Sequence, residues 1–357
     1  MRALDRCRDV TALAEALGVP AAGGASVAVV RFCRQRLDAW VGEASHTRSI
    51  DDVERAVCDQ LGLTIEEAWT DAELLEISRR YLAGGEPVFA CLAAQFDSAT
   101  YAVLIRRRQP DQGGREQHVA VIDCRGAKKH RRFFSRWHEI AHMMTLPPTV
   151  DAPVHRSRGD RSGLERLMDA IAAELGFYEP LFAPMVAAEV KSAGGLTFSG
   201  VERVRRAFSL SASFEATLGA CVERLAAAAG LIEAGLGFNA EEERQFATER
   251  LPSRRPKPRL RVLKTVGNEA ARAVGFVVRP HCRVPEQSAL QRVFFDREGL
   301  AGAREIELIE DCDLWRSAGL SWPGVQMRMV AIDRRDRLMV LLFPQENVKR
   351  LSKAGFG

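Results

Sequence analysis

The chain has 357 residues, of which 46% are hydrophobic and 27% charged, with 51 Lys and Arg against 47 Asp and Glu. That length suits two or three domains with packed cores, and the composition excludes a disordered polymer. A net charge of +4 allows nucleic-acid contact without requiring it, and the absence of any long apolar run argues against a membrane-inserted or secreted protein.

The first 80 residues are helical in pattern. Thr11–Leu17, Val27–Val41, Asp51–Leu61 and Asp71–Leu82 are the expected helices, and Gly18 and Gly62 sit where C-caps belong. Val10–Val19, with its Ala-Leu-Gly-Val ending, has a faint helix-turn-helix character, although short helices that end in Gly more often serve packing. Strands are expected next, at Pro87–Ala94 and Ala99–Ile105. A turn at Pro110–Gly114 leads to a third, His118–Asp123, and the three suit a small antiparallel sheet whose edge could accept a substrate strand. Two basic runs flank them, Arg106–Arg108 and Lys128–Arg132; such runs are usually solvated, although they could also attract an acidic partner.

Residues 138–142 read His-Glu-Ile-Ala-His. With 7 His and at most 47 Glu in 357 residues, chance supplies about 0.02 such matches per chain. Phe133, Trp137, Ile140 and Met144 form one apolar stripe, so Arg132–Met144 is a helix, ended by Pro147 and Pro148. Positions i and i+4 share a face, which lets His138 and His142 reach one metal ion with Glu139 beside it as a general base.

A tetrahedral metal site needs another protein ligand. The next helical pattern carries the apolar stripe Leu164, Leu167, Met168, Ile171 and Leu175, and a second face of acidic and small residues, Glu165, Asp169, Ala172, Ala173 and Gly176. Glu165 is the expected third ligand. Asp169, one turn on, is its rival, read here as an acceptor that orients a ligating imidazole.

Taken together, Arg131–His142 and Leu164–Leu175 resemble the ImmA/IrrE family of bacterial zinc peptidases, in order and in spacing. Asp169 stands where the family has Asn, Ile171 where it has Phe, and Gly176-Phe177-Tyr178 where it has Leu-Met-Pro. The resemblance implies Zn2+ held by His138, His142 and Glu165, with Glu139 as base. It also implies a cytoplasmic peptidase making limited cuts in a protein substrate, a helix-turn-helix transcriptional repressor of a stress or mobile-element response. For the oxyanion of such a reaction, His155 and Tyr178 are the candidate donors.

Farther on, Gly200–Phe208 and Phe214–Ala229 are expected helices around a Ser-rich turn, a layout that suits bundle packing or a helix-turn-helix. Prolines 252, 256 and 258 mark a linker over Arg250–Arg261. Beyond it, strands are expected at Arg261–Val266 and Gly275–Arg279, with a hairpin of Val325–Ile332 and Leu338–Phe343. His281 and Cys282 lack the partners a metal site needs. Eight scattered cysteines with no Cys-x-x-Cys pair read as reduced thiols.

The expectation is therefore an α+β protein with an N-terminal helical segment at 1–50 and a zincin-like metallopeptidase domain at 51–190, built of a small antiparallel sheet and the His-Glu-x-x-His helix. A helix-turn-helix-like extension at 191–250 follows, then an α+β domain at 262–350; some relatives of the resembled family carry a GAF-like sensor there. Two other classes fit the sequence: a DNA-binding transcriptional regulator on a non-catalytic peptidase-like scaffold, and a pseudo-peptidase whose fourth metal position is closed by a side chain such as His155.

Overall fold

Local signals start and stop the first helices. A computed structural model describes residues 4–43, 47–110, 113–146, 154–158, 162–249, 251–296, 305–320, 326–334 and 336–345. After α1 (Arg8–Ala16) and α2 (Ala25–Glu43), helix α3 (Ile50–Leu61) opens on a reciprocal cap between Ser49 and Asp52 and closes on Gly62 at φ 60°. A Cβ on Gly62 would stand 2.6 Å from the Glu116 carbonyl oxygen, so the turn requires glycine. Strand β1 (Leu63–Ala68) follows at once, and α4 (Asp71–Ala83) opens on a second reciprocal cap, Thr70 with Glu73.

The first sheet contains β1, β2 (Thr100–Arg106), β3 (His118–Asp123) and β4 (Val154–Arg158) in the order β1-β3-β2-β4. Three expectations change here. Pro87–Ala94 is not a strand: Pro87–Cys91 and Ala93–Gln95 are 3-10 turns that bury Phe89 and Leu92. The sheet has four strands, and it is mixed, because β1 runs parallel to β3 while β2 is antiparallel to both of its neighbours. His118–Asp123 is an interior strand, buried at all six positions, and the edges are β1 and β4. β1 was hidden in the sequence by Thr64, Glu66 and Glu67, whose polar side chains an edge strand can leave half exposed.

Helix α5 (Arg132–Thr145) buries Phe133, Trp137, Ile140 and Met144, the expected stripe. Helix α6 (Gly163–Gly176) lies across it. They pack tightly at Gly176, where a Cβ would come within 3.0 Å of the Trp137 ring. The next helices are α7 (Glu179–Ala193), α8 (Phe198–Phe208) and α9 (Phe214–Glu223). Phe177, Phe182 and Phe208 stack together near Phe133.

A second sheet, wholly antiparallel, joins β5 (Gly230–Gly237), β6 (Arg259–Gly267), β7 (Ile306–Asp311), β8 (Gln326–Arg334) and β9 (Arg337–Gln345) in the order β6-β5-β9-β8-β7. Its core includes Phe276, Phe294, Trp315, Met327 and Met329. The hairpin at Arg334 and Arg337 is as expected, but two other elements differ. The helix expected over Phe214–Ala229 stops at Glu223 and gives way to β5, so sheet residues precede the proline-rich stretch, which runs between two paired strands of one sheet. Gly275–Arg279 is not a strand; the Phe276 N–H closes onto the Ala271 carbonyl at 2.8 Å, ending a short helix, and Phe276 and Val278 are buried without strand pairing.

The chain divides into two compact units, Met1–Met185 with Arg205–Ala216, and Val186–Val204 with Thr217–Gly357. α1 and α2 thus belong to the unit that carries α5 and α6, and each packs against α6. No helix among the described residues is long and apolar enough to cross a membrane. All eight cysteines are free thiols.

Candidate metal centre

Two helix ends make the site. β3 finishes at Asp123, a buried carboxylate that accepts hydrogen bonds from Arg125 (2.8 Å) and Lys128 (2.8 Å). Burial raises its pKa, but those two cations hold it below the ordinary carboxylate range. The Lys128 ammonium also donates to the Asp97 and Thr100 carbonyls, so the turn from strand to α5 is fastened at several points. At the other end of α5, Arg36 of α2 donates to the Met144 carbonyl at 3.0 Å, satisfying one of the orphan acceptors of a helix terminus.

His138 and His142 lie one turn apart on α5, their Nε2 atoms 3.1 Å from each other. Glu165 stands in the first turn of α6, where the helix dipole favours a carboxylate, and its N–H donates to the capping Ser162 hydroxyl. Its carboxylate oxygens are 3.0 Å from His138 Nε2 and 3.4 Å from His142 Nε2. Ligand atoms about 2.0 to 2.1 Å from one tetrahedral ion are separated by roughly 3.3 Å, so these three side chains fit a metal ion. They are the group of His, Cys, Asp and Glu residues that could hold one among the described residues.

Two neighbours support that fit. Asp169 Oδ1 accepts from His138 Nδ1 at 3.0 Å, the place expected for an acceptor that orients an imidazole, and Glu165, not Asp169, completes the triad. Glu139 is fully buried, and among the described residues neither of its carboxylate oxygens has a hydrogen-bond partner. A buried carboxylate without such partners suits a catalytic or water-binding role. Burial alone would depress the His138 pKa, but Asp169, Glu165 and the nearby Glu139 outweigh it and raise it to about 9.

The two oxyanion candidates fare differently. Tyr178 lies 13 residues beyond Glu165 and just past the end of α6, which at 1.5 Å per residue is about 20 Å along the axis. Its hydroxyl hydrogen-bonds to Asp38; burial and that carboxylate push its pKa up to about 12. It is therefore withdrawn from the site. His155 pairs through its backbone with Leu104 in β4, and its side chain lies outside the described residues.

The basic runs are mostly committed internally. Arg136 pairs with the buried Glu54 and with Glu67, Arg132 lies 3.4 Å from Glu67 and over the Trp69 ring, and Arg107 pairs with the buried Glu86. Arg131 covers the Tyr101 and Phe134 rings, with Phe134 next to His138. Sequence reading also missed α1 as a wall of the site, where Ala12, Leu13 and Ala16 lie near His142 and Glu165. Small residues one turn apart on a short helix were the only signal for it. No model of a protein family matches the chain, and no curated protein matches it either.

Proposed function

We propose that the chain is a zinc-dependent metallopeptidase with a zincin-like catalytic unit, cutting a protein substrate at one or few places. The observation that carries this reading is the convergence of His138, His142 and Glu165 beside the buried, partnerless carboxylate of Glu139. Two imidazoles and one carboxylate are a donor set of catalytic zinc sites that keep a position open. The chemistry such an ion supplies is polarisation of the peptide carbonyl and a lowering of the pKa of water to about 7.

The chain's own groups then have defined tasks. Asp169 fixes the His138 ring through Nδ1 and leaves Nε2 facing the site. Glu139 accepts a proton from the attacking water and returns it to the departing amine, as a base next to the reacting atoms can. Its burial keeps bulk water from competing for that proton. The resemblance to ImmA/IrrE peptidases extends the proposal to the substrate, a helix-turn-helix repressor, and to a cytoplasmic setting. It also extends to the antiparallel α+β unit at the C-terminus as a GAF-like sensor.

Purified Glu139→Gln and Glu165→Ala proteins separate the roles. Glu139→Gln is expected to retain zinc and lose cleavage, whereas Glu165→Ala is expected to lose zinc, read by metal analysis after dialysis. Undiminished cleavage by Glu139→Gln would refute the base.

A further inference from the structure

Beside the triad, α1, the end of α5 and the start of α6 enclose a recess of about 470 Å³. Ala12, Leu13 and Ala16 face it from α1, Leu146 from beyond α5, and Leu164 and Met168 from α6. The walls are apolar and the volume lies within the range of small-ligand pockets. His142 and Glu165 form part of the same lining. A side chain that enters therefore belongs to a residue next to whatever bond the triad addresses.

Its polar groups restrict the occupant further. Asp9 is exposed at the recess and the rest of its wall is mainly apolar, so a carboxylate side chain would lose water there beside a group of like charge. Ala12 and Ala16, one helical turn apart, create the space by being small: a larger residue at either position would project into it.

Resting on the peptidase reading, we propose that this recess is a specificity pocket for a large apolar side chain, Leu, Met or Phe, on a residue flanking the cut bond, and that Ala12 sets its depth. One methylene in such a pocket changes kcat/KM by about 10- to 200-fold. Replacing Leu by Ala at that substrate position is therefore expected to cost on the order of 100-fold.

The test compares full-length, zinc-loaded wild-type and Ala12→Phe proteins on a peptide library, with cut positions read by mass spectrometry. Leu, Met and Phe are expected to be enriched at one position adjoining the cuts. Ala12→Phe should move the preference toward Ala and Gly with zinc content unchanged. A second readout does not need catalysis: calorimetry on zinc-loaded Glu139→Gln protein with a small hydroxamate, with and without an isobutyl arm. The arm should tighten binding by about tenfold or more, and adding Ala12→Phe should remove the gain. Cutting without apolar preference, together with no gain from the arm, overturns the pocket and leaves the peptidase standing. A gain that Ala12→Phe abolishes, with no cutting by the wild type, supports the pocket and sinks the peptidase reading.

Discussion

Asp169 lies outside the group of His138, His142 and Glu165, yet it bonds directly to one of its members. Its bond to His138 Nδ1 fixes the ring that must present Nε2. Asp169→Asn is expected to weaken metal binding by about 10- to 100-fold, measured by competition with a chelating dye. Asn is also what the resembled family carries here, so the departure is one whose effect the substitution measures directly. The raised pKa of His138, about 9, has a further consequence. A raised pKa there favours the protonated ring at neutral pH, and an ion bound by His138 would have to displace that proton. Metal affinity should therefore rise with pH up to about 9 and level off above it, with about one proton released per ion bound near pH 7. Calorimetry in buffers of differing ionisation enthalpy reads that proton; affinity flat between pH 6.5 and 9 would contradict it.

The elements that hold the site were the most legible part of the chain. The stripe of Phe133, Trp137, Ile140 and Met144 placed α5 to within a residue, and His118–Asp123 was located as found, because long periodic runs and buried β-branched runs carry their own signal. What failed were elements defined by their neighbours. β5 contains three glycines in eight residues and looks like a helix exit; a Cβ at Gly235 would come within 2.9 Å of Leu263, so bare backbone is what lets β6 and β9 lie against it. β1 is a strand through its parallel pairing with β3, a contact no local pattern announces. The same dependence on a neighbour operates between α5 and α6. Gly176→Ala would press a methyl group against the rigid, buried Trp137 ring. The overpacking is expected to cost about 1 to 3 kcal/mol, offset in part by the roughly 1 kcal/mol by which Ala is favoured over Gly in a helix. A lowered denaturation midpoint with unchanged slope checks it, and Gly176→Val should be worse.

For the molecule as a whole, every residue of the triad falls in the unit formed by Met1–Met185 with Arg205–Ala216. Zinc at 100 times its dissociation constant should stabilise that unit by about 2.7 kcal/mol. Scanning calorimetry with zinc, then with excess chelator, is expected to show one transition that moves and one that stays. Both transitions shifting alike would mean that the units unfold as one body. The division itself was only partly readable: three prolines suggested a break at residues 250–261, where the chain in fact passes between two strands of one sheet.

Lys128, Arg132 and Arg136, three cations of a segment that looks strongly basic on paper, each lie against an acidic group from elsewhere in the fold. Such dipoles project little potential beyond a screening length of about 8 Å in physiological saline. A distant polyanion would feel less of these three charges than the spelling of residues 128–136 promises, which leaves the exposed Lys129 and Arg131 as the cations there that it would meet.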